Sequence, residues 1–148
     1  MAITWNHYLW DEDHHVDPAS IRYLEDEFDI IFPQDYLDTV ILNQGKTPNP
    51  GILSIGGRTI GIGVLFLIEG GEPDESSTIR SNLEYIEDDV PGKIMPIMGT
   101  GGASVIAFDY RLSNQHPKVV FVSADKEGED AITEVSSNFT DFLSLLIK

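Results

Sequence analysis

The chain has 148 residues, 41% hydrophobic and 23% charged, the size and mix of a single globular domain with one core. It contains no cysteine, which excludes a disulfide framework, a thiolate zinc site and a cysteine nucleophile. Its 25 acidic residues against 9 lysines and arginines give a formal charge of −16, a surface that repels phosphate backbones and argues against direct nucleic-acid or anionic-lipid binding.

Residues 1–16 read as an acidic segment ahead of the domain proper. The opening stretch "MAITWNHYLWDEDHH" lacks a basic region followed by an apolar one, so no signal peptide is expected. The longest apolar run, Ile62 to Ile68, falls far short of the ~20 residues of a membrane helix. The expectation is a cytoplasmic protein with no membrane partner, in which the Asn138-Phe139-Thr140 sequon has no role. Acid is densest early, where Asp17, Glu25, Asp26, Glu27, Asp29, Asp35 and Asp38 follow the "DED" triplet and face only Arg22.

"VDPASIRYLEDEFDI" predicts a helix, with Asp17 as N-cap, Pro18 at the first helical position, and Ile21, Leu24 and Phe28 on one apolar stripe. A second helix restarts at Pro33, carries Tyr36, Leu37, Val40 and Ile41 inward, and stops at Asn43-Gln44-Gly45. "KTPNPG" reads as loop, because two prolines oppose regular structure. "GILSI" and "RTIGIGVLFLI" read as strands joined at Gly56-Gly57, followed by the polar loop "GGEPDESS" and a short helix that buries Ile79, Leu83 and Ile86. "KIMPIM" reads as a strand, and Pro96 predicts that it lies at an edge. "SVIAFDY" and "KVVFVSAD" are strands on either side of the turn "RLSNQHP". "SSNFTDFLSLLIK" is an amphipathic helix capped at Ser137 or Asn138, with Phe139, Phe142, Leu143 and Leu146 on one face. Strands that follow one another through short turns predict an α+β domain built on a mainly antiparallel sheet, with helices packed on it.

Three stretches carry residues that suggest chemistry. "DEDHH" joins Asp11, Glu12 and Asp13 to His14 and His15, ligand types for a divalent ion and the basis of a metal-dependent hydrolase reading. Adjacent histidines diverge, however, and no helical His-x-x-x-His spacing is present, so an exposed acidic segment is favoured and no metal is assigned. "GTGGAS" resembles a phosphate loop but lacks the following Gly-Lys-Ser/Thr and leads into a strand instead of a helix, so a glycine turn with positive φ angles is expected. Asp109 and Arg111 lie two apart on one strand and share its thinner face with Val105 and Ala107. Ile106, Phe108 and Tyr110 take the face toward the helices. That pair reads either as a local ion pair or as a polar contact on a binding face. No serine or histidine stands in a hydrolase motif, and no catalytic residue or cofactor is assigned.

The blocks "FDIIFPQDYLDTVILNQG", "IMPIMGTGGASVIAFDYR", and "KVVFVSAD" followed by "VSSNFTDFLSLL" together resemble the SUKH superfamily in order and spacing, from Pro18 to Leu146. Two features depart from that pattern: Gln44 interrupts the common Asn-Gly pair, and "VSADKEGE" lacks the aromatic and histidine often found at that strand end. The resemblance implies a SUKH-like α+β domain spanning 1–148 and no catalysis. It also implies an immunity protein that binds a cognate toxin directly, often a nuclease and here expected to be basic. Eukaryotic relatives, the yeast Smi/Knr cell-wall regulators, supply the alternative of a regulatory scaffold without a toxin. The expected partner contacts are Asp109, Asp125 and Glu127, on a monomer or weak homodimer.

Overall fold

The computed structural model describes residues 3–8, 11, 16–68 and 77–148. Six strands form one antiparallel sheet whose spatial order follows the chain: β3 (Ile52–Ile55), β4 (Arg58–Leu65), β5 (Ile94–Thr100), β6 (Val105–Asp109), β7 (Lys118–Val122) and β8 (Ile132–Ser136). A two-stranded sheet of β1 (Thr4–His7) and β2 (Lys46–Asn49) lies beside β4, where the Gly45 N–H donates to Leu65 O and the Ile62 N–H to Gly51 O. Four helices accompany them among the described residues: α1 (Pro18–Phe28), α2 (Gln34–Asn43), α3 (Ile79–Ile86) and α4 (Phe139–Ser144). The fold is the expected α+β arrangement.

Local chemistry explains the helix ends. Asp17 accepts from the Ala19 N–H and Pro18 begins α1, while Thr78 and Asn138 cap α3 and α4 by accepting from the Ser81 and Asp141 N–H groups. Gly56 and Gly57 take φ of 59° and 78°, the left-handed pair that a two-residue hairpin turn needs between β3 and β4.

One face of the sheet is sealed by aromatic packing. Tyr36 of α2 is fully buried, and its ring meets Phe108 of β6 at 5.2 Å and Phe139 of α4 at 5.5 Å, both edge-on. Asp35 fastens the same two helices, since its Oδ2 accepts from the Thr140 N–H and hydroxyl at 2.9 and 2.8 Å. The Tyr110 hydroxyl donates to Ile31 O at 3.0 Å and anchors the α1–α2 connection to the end of β6. On the opposite face α3 packs against β5, beside Val105 and Val122 at one end of β6 and β7. Arg80 ties α3 to α1 by pairing with both oxygens of Glu27 at 2.7 Å.

The structure corrects several local expectations. "KTPNPG" is not loop throughout: Lys46–Asn49 is β2, and Pro48 pairs opposite Trp5 in a two-stranded ribbon that tolerates its missing N–H. Within the expected acidic segment, Thr4–His7 is β1. Pro96 does not mark an edge, because β5 lies between β4 and β6. It sits where the β5–β6 register shifts, and the nearest β4 partner is at Met98, so no ladder bond is required of its nitrogen. The C-terminal helix ends at Ser144, and Ile147 then bridges to Ile52, covering the free edge of β3. None of Gly99, Gly101 and Gly102 takes a positive φ. Gly99 is instead a matter of space: a Cβ there would stand 3.3 Å from the Phe66 ring.

The Tyr36 hydroxyl has no hydrogen-bond partner among the described residues. A buried orphan hydroxyl costs ~1–3 kcal/mol, so Tyr36→Phe should leave stability unchanged or raise it by about 1 kcal/mol in urea denaturation. A loss of more than about 1 kcal/mol would mean that the hydroxyl has a partner the packing conceals.

Candidate functional site

The β6–β7 register sets the site. Asp109, the last residue of β6, stands opposite Lys118, and Ala107 stands opposite Val120. Alternation along the strand keeps Phe108 on the aromatic face and turns Asp109 to the other. That other face is covered by α3 at the Val105–Val122 end. Toward Asp109 it opens as a groove of about 420 Å³. Val120 and Ile132 contribute its apolar lining. One wall is the β6–β7 loop, with Leu112 and His116; the other rises toward the 3₁₀ turn Gly128–Ala131, which carries Glu129.

Charges of both signs line this groove and pair within it. Arg111 grips Asp109 with two prongs, Nε to Oδ1 at 2.9 Å and Nη2 to Oδ2 at 2.7 Å, and its backbone N–H adds a third bond to Oδ1 at 3.0 Å. Its remaining prong, Nη1, donates to Glu129 Oε2, so one guanidinium links β6 to the 3₁₀ turn. Lys118 Nζ reaches Glu134 Oε1 on β8 at 3.0 Å. The Asp109 side chain is 12% exposed, against 71% for Glu129 and 61% for Glu134. Asp109 is therefore the seated member, and the two glutamates form the wet rim.

Burial works to raise the Asp109 carboxyl, but the side-chain and backbone hydrogen bonds from Arg111, with the charges of Arg111 and Lys118, outweigh it. The carboxyl stays below the usual aspartate range. The hydrogen bond to Asp109 raises Arg111 further above its already high value, with Glu129 adding to it, so the guanidinium keeps its charge at any working pH. Such a surface suits recognition: fixed donors, exposed carboxylates and an aliphatic lining.

The expected contact residues separate in space. Asp109 lies in the groove and pairs with Arg111, but the two do not share a strand face as expected: β6 ends at Asp109, and Arg111 reaches back to it from the following bend. Asp125 and Glu127 are exposed and follow Val122, which pairs with Val105, so they sit at the other end of the β6–β7 hairpin. The structure does not bring them into the groove. Sequence reasoning missed Lys118, Glu129 and Glu134. Lys118 could have been found by counting the hairpin register back from "RLSNQHP". Glu129 had no signal beyond its place in an acidic run. Of the "DEDHH" cluster, Glu12 to His15 lie outside the described residues; among the described residues no group of three or more potential ligands is placed to hold a metal ion. "GTGGAS" lines a separate, uncharged groove of about 410 Å³ with Phe66 and the Ser81, Asn82 and Tyr85 side of α3. Its neighbour in space is α3, not the N-terminus of a helix that follows it, so phosphate-loop geometry is absent there. Among the described residues no helix is long and apolar enough to cross a membrane.

The profile of the SMI1/KNR4 family (SUKH-1) matches residues 15–145. Among curated proteins, none matches the chain.

Asp109→Asn tests the pair that organises the groove. Because the folded carboxyl titrates below its ordinary value of 3.8, the pair's contribution is complete above about pH 4 and is lost as the pH falls through the lowered value. Urea denaturation at neutral pH should show the variant less stable by about 1 kcal/mol or less, and the gap should shrink at pH 3. A gap that is the same at both values would mean the carboxylate's charge contributes nothing.

Proposed function

The chain belongs to the SMI1/KNR4 family (SUKH-1), and from that premise we propose that it is a non-catalytic immunity protein of the cytoplasm, one that neutralises a cognate toxin by binding it directly. The observation that carries the reading is the family match over residues 15–145, because the SUKH superfamily includes immunity proteins and is generally non-catalytic. The charge of −16 supports a basic partner, which long-range attraction would steer to rapid encounter. A nuclease fits that requirement best, since a protein that grips a polyanion presents a basic surface of its own. The groove supports binding over chemistry: Asp109, Glu129 and Glu134 each engage a cation in the ground state, an arrangement suited to recognition.

Co-expression with the toxin encoded beside this chain's gene should restore growth and yield a co-purifying complex. Failure of both protection and complex formation would overturn the reading. Association should slow by about tenfold or more as salt rises from roughly 0.05 to 0.5 M. Asp125→Lys and Glu127→Lys, at exposed positions, should each lower the association rate by about twofold if they border the interface. Unchanged rates would remove them from it.

A further inference from the structure

The sheet's two faces are finished differently. On the aromatic face Phe108, Val119 and Phe121 are 0–4% exposed beneath other elements. On the other face, the groove toward the Asp109 end of β6–β8 is lined by Val120, 2% exposed, by the part-buried Ile132 opposite Val122, and by no residue of α3. Beside it, Leu112 is 88% exposed, the most exposed of the large hydrophobic residues described. Ile31, 50% exposed, is held at the same end of the sheet, because its N–H donates to Asn114 O in the Leu112 loop. With Val120 and Ile132, Leu112 makes an apolar lining rimmed by charged side chains, the form of surface that marks an interaction site.

The ion pairs indicate what chemistry would fit. The lining carries three carboxylates against two permanent cations, an excess of one negative charge on a chain of −16. Glu129 and Glu134 are mostly exposed, and pairs of that kind hold with ~0–1 kcal/mol, so either can turn to a new counterion at little cost. Asp109 keeps Arg111 in place if Glu129 leaves it. We infer that this groove, with Leu112 at its mouth, is the toxin-docking surface, and that it receives a protein segment presenting a basic side chain, bound to Glu129, next to an apolar one packed on Leu112. The inference rests on the immunity reading above and adds the surface and the chemistry of the partner segment.

The test uses the full chain and a catalytically inactive form of the toxin encoded beside its gene, with affinity and rates measured together. Leu112→Asp, at an exposed loop position that should leave the melting curve intact, should weaken binding by about tenfold or more, mainly through faster dissociation. Glu129→Gln should weaken it by about fivefold and reduce its salt dependence. Leu42→Asp, on the exposed side of α2, should bind within about twofold of the parent, as substitutions outside an interface do. If the parent chain binds but Leu112→Asp or Glu129→Gln binds equally well, or if Leu42→Asp loses as much, the docking surface is wrong and the immunity reading stands. If the parent does not bind, the immunity reading fails and this inference falls with it.

Discussion

The edge-on contacts of Tyr36 with Phe108 and Phe139 hold together three segments that are distant in sequence, α2, β6 and α4. Each ring buries a large area, and the T-shaped geometry sets the positive edge of one ring against the negative face of the next. Because Phe108 is fixed toward the helices, alternation along β6 fixes everything else on that strand. A slip of one residue would drive Asp109 into the aromatic cluster and turn Phe108 out to the groove, a change that costs both the apolar burial and an ion pair. The groove's geometry is therefore set from behind, by packing on the aromatic face of the sheet. Shape, not hydrogen bonding, governs that packing, since the Tyr36 hydroxyl finds no acceptor among the described residues.

Electrostatics then works at two ranges. A half-buried carboxylate needs a counterion, and Arg111, two residues along, supplies it with three bonds. Having satisfied Asp109, the same guanidinium still has a prong for Glu129. The inner carboxylate is largely buried and the outer one mostly exposed, where an ion pair is worth ~0–1 kcal/mol, so the rim can exchange partners without disturbing the strand beneath it.

Much of this was legible in the residues. Asp17-Pro18, Asn138 and the Gly56-Gly57 pair act locally, and local signals survive folding intact. The Asp109–Arg111 pair was legible for the same reason, being two residues apart, although β6 ends at Asp109 and Arg111 stands in the bend after it instead of on the strand face. Features that depend on a distant segment were not. Pro96 looked like an edge residue because a proline in a strand lacks a donor; the bulge that excuses it is a property of the β5–β6 pairing. Lys46–Asn49 becomes strand only because Thr4–His7 pairs with it. The Ile132–Ser136 strand is short, mostly polar and preceded by acids, and acquires its identity from β7. The place of Glu129 in the groove depends on a turn whose position follows from β8. Gln44 looked like a mere departure from the family's Asn-Gly pair, yet its side chain is 4% exposed and accepts the Ile68 N–H at 2.9 Å, a contact 24 residues away.

On the immunity reading proposed above, the two charge scales divide the work of recognition. A charge of −16 acts over the ~8 Å of a physiological Debye length and draws in any basic protein, so it speeds encounter without choosing among partners. Choice has to come from groups that meet the partner at contact distance. The groove has that character, because Arg111 and Lys118 stand among the carboxylates. A partner that brings a cation opposite Arg111 meets repulsion, and one whose cation draws Glu129 away from Arg111 does not. A uniformly acidic groove would bind more partners and distinguish fewer. Two cations retained within so acidic a surface therefore give the mosaic a part in specificity, with the net charge left to govern rate.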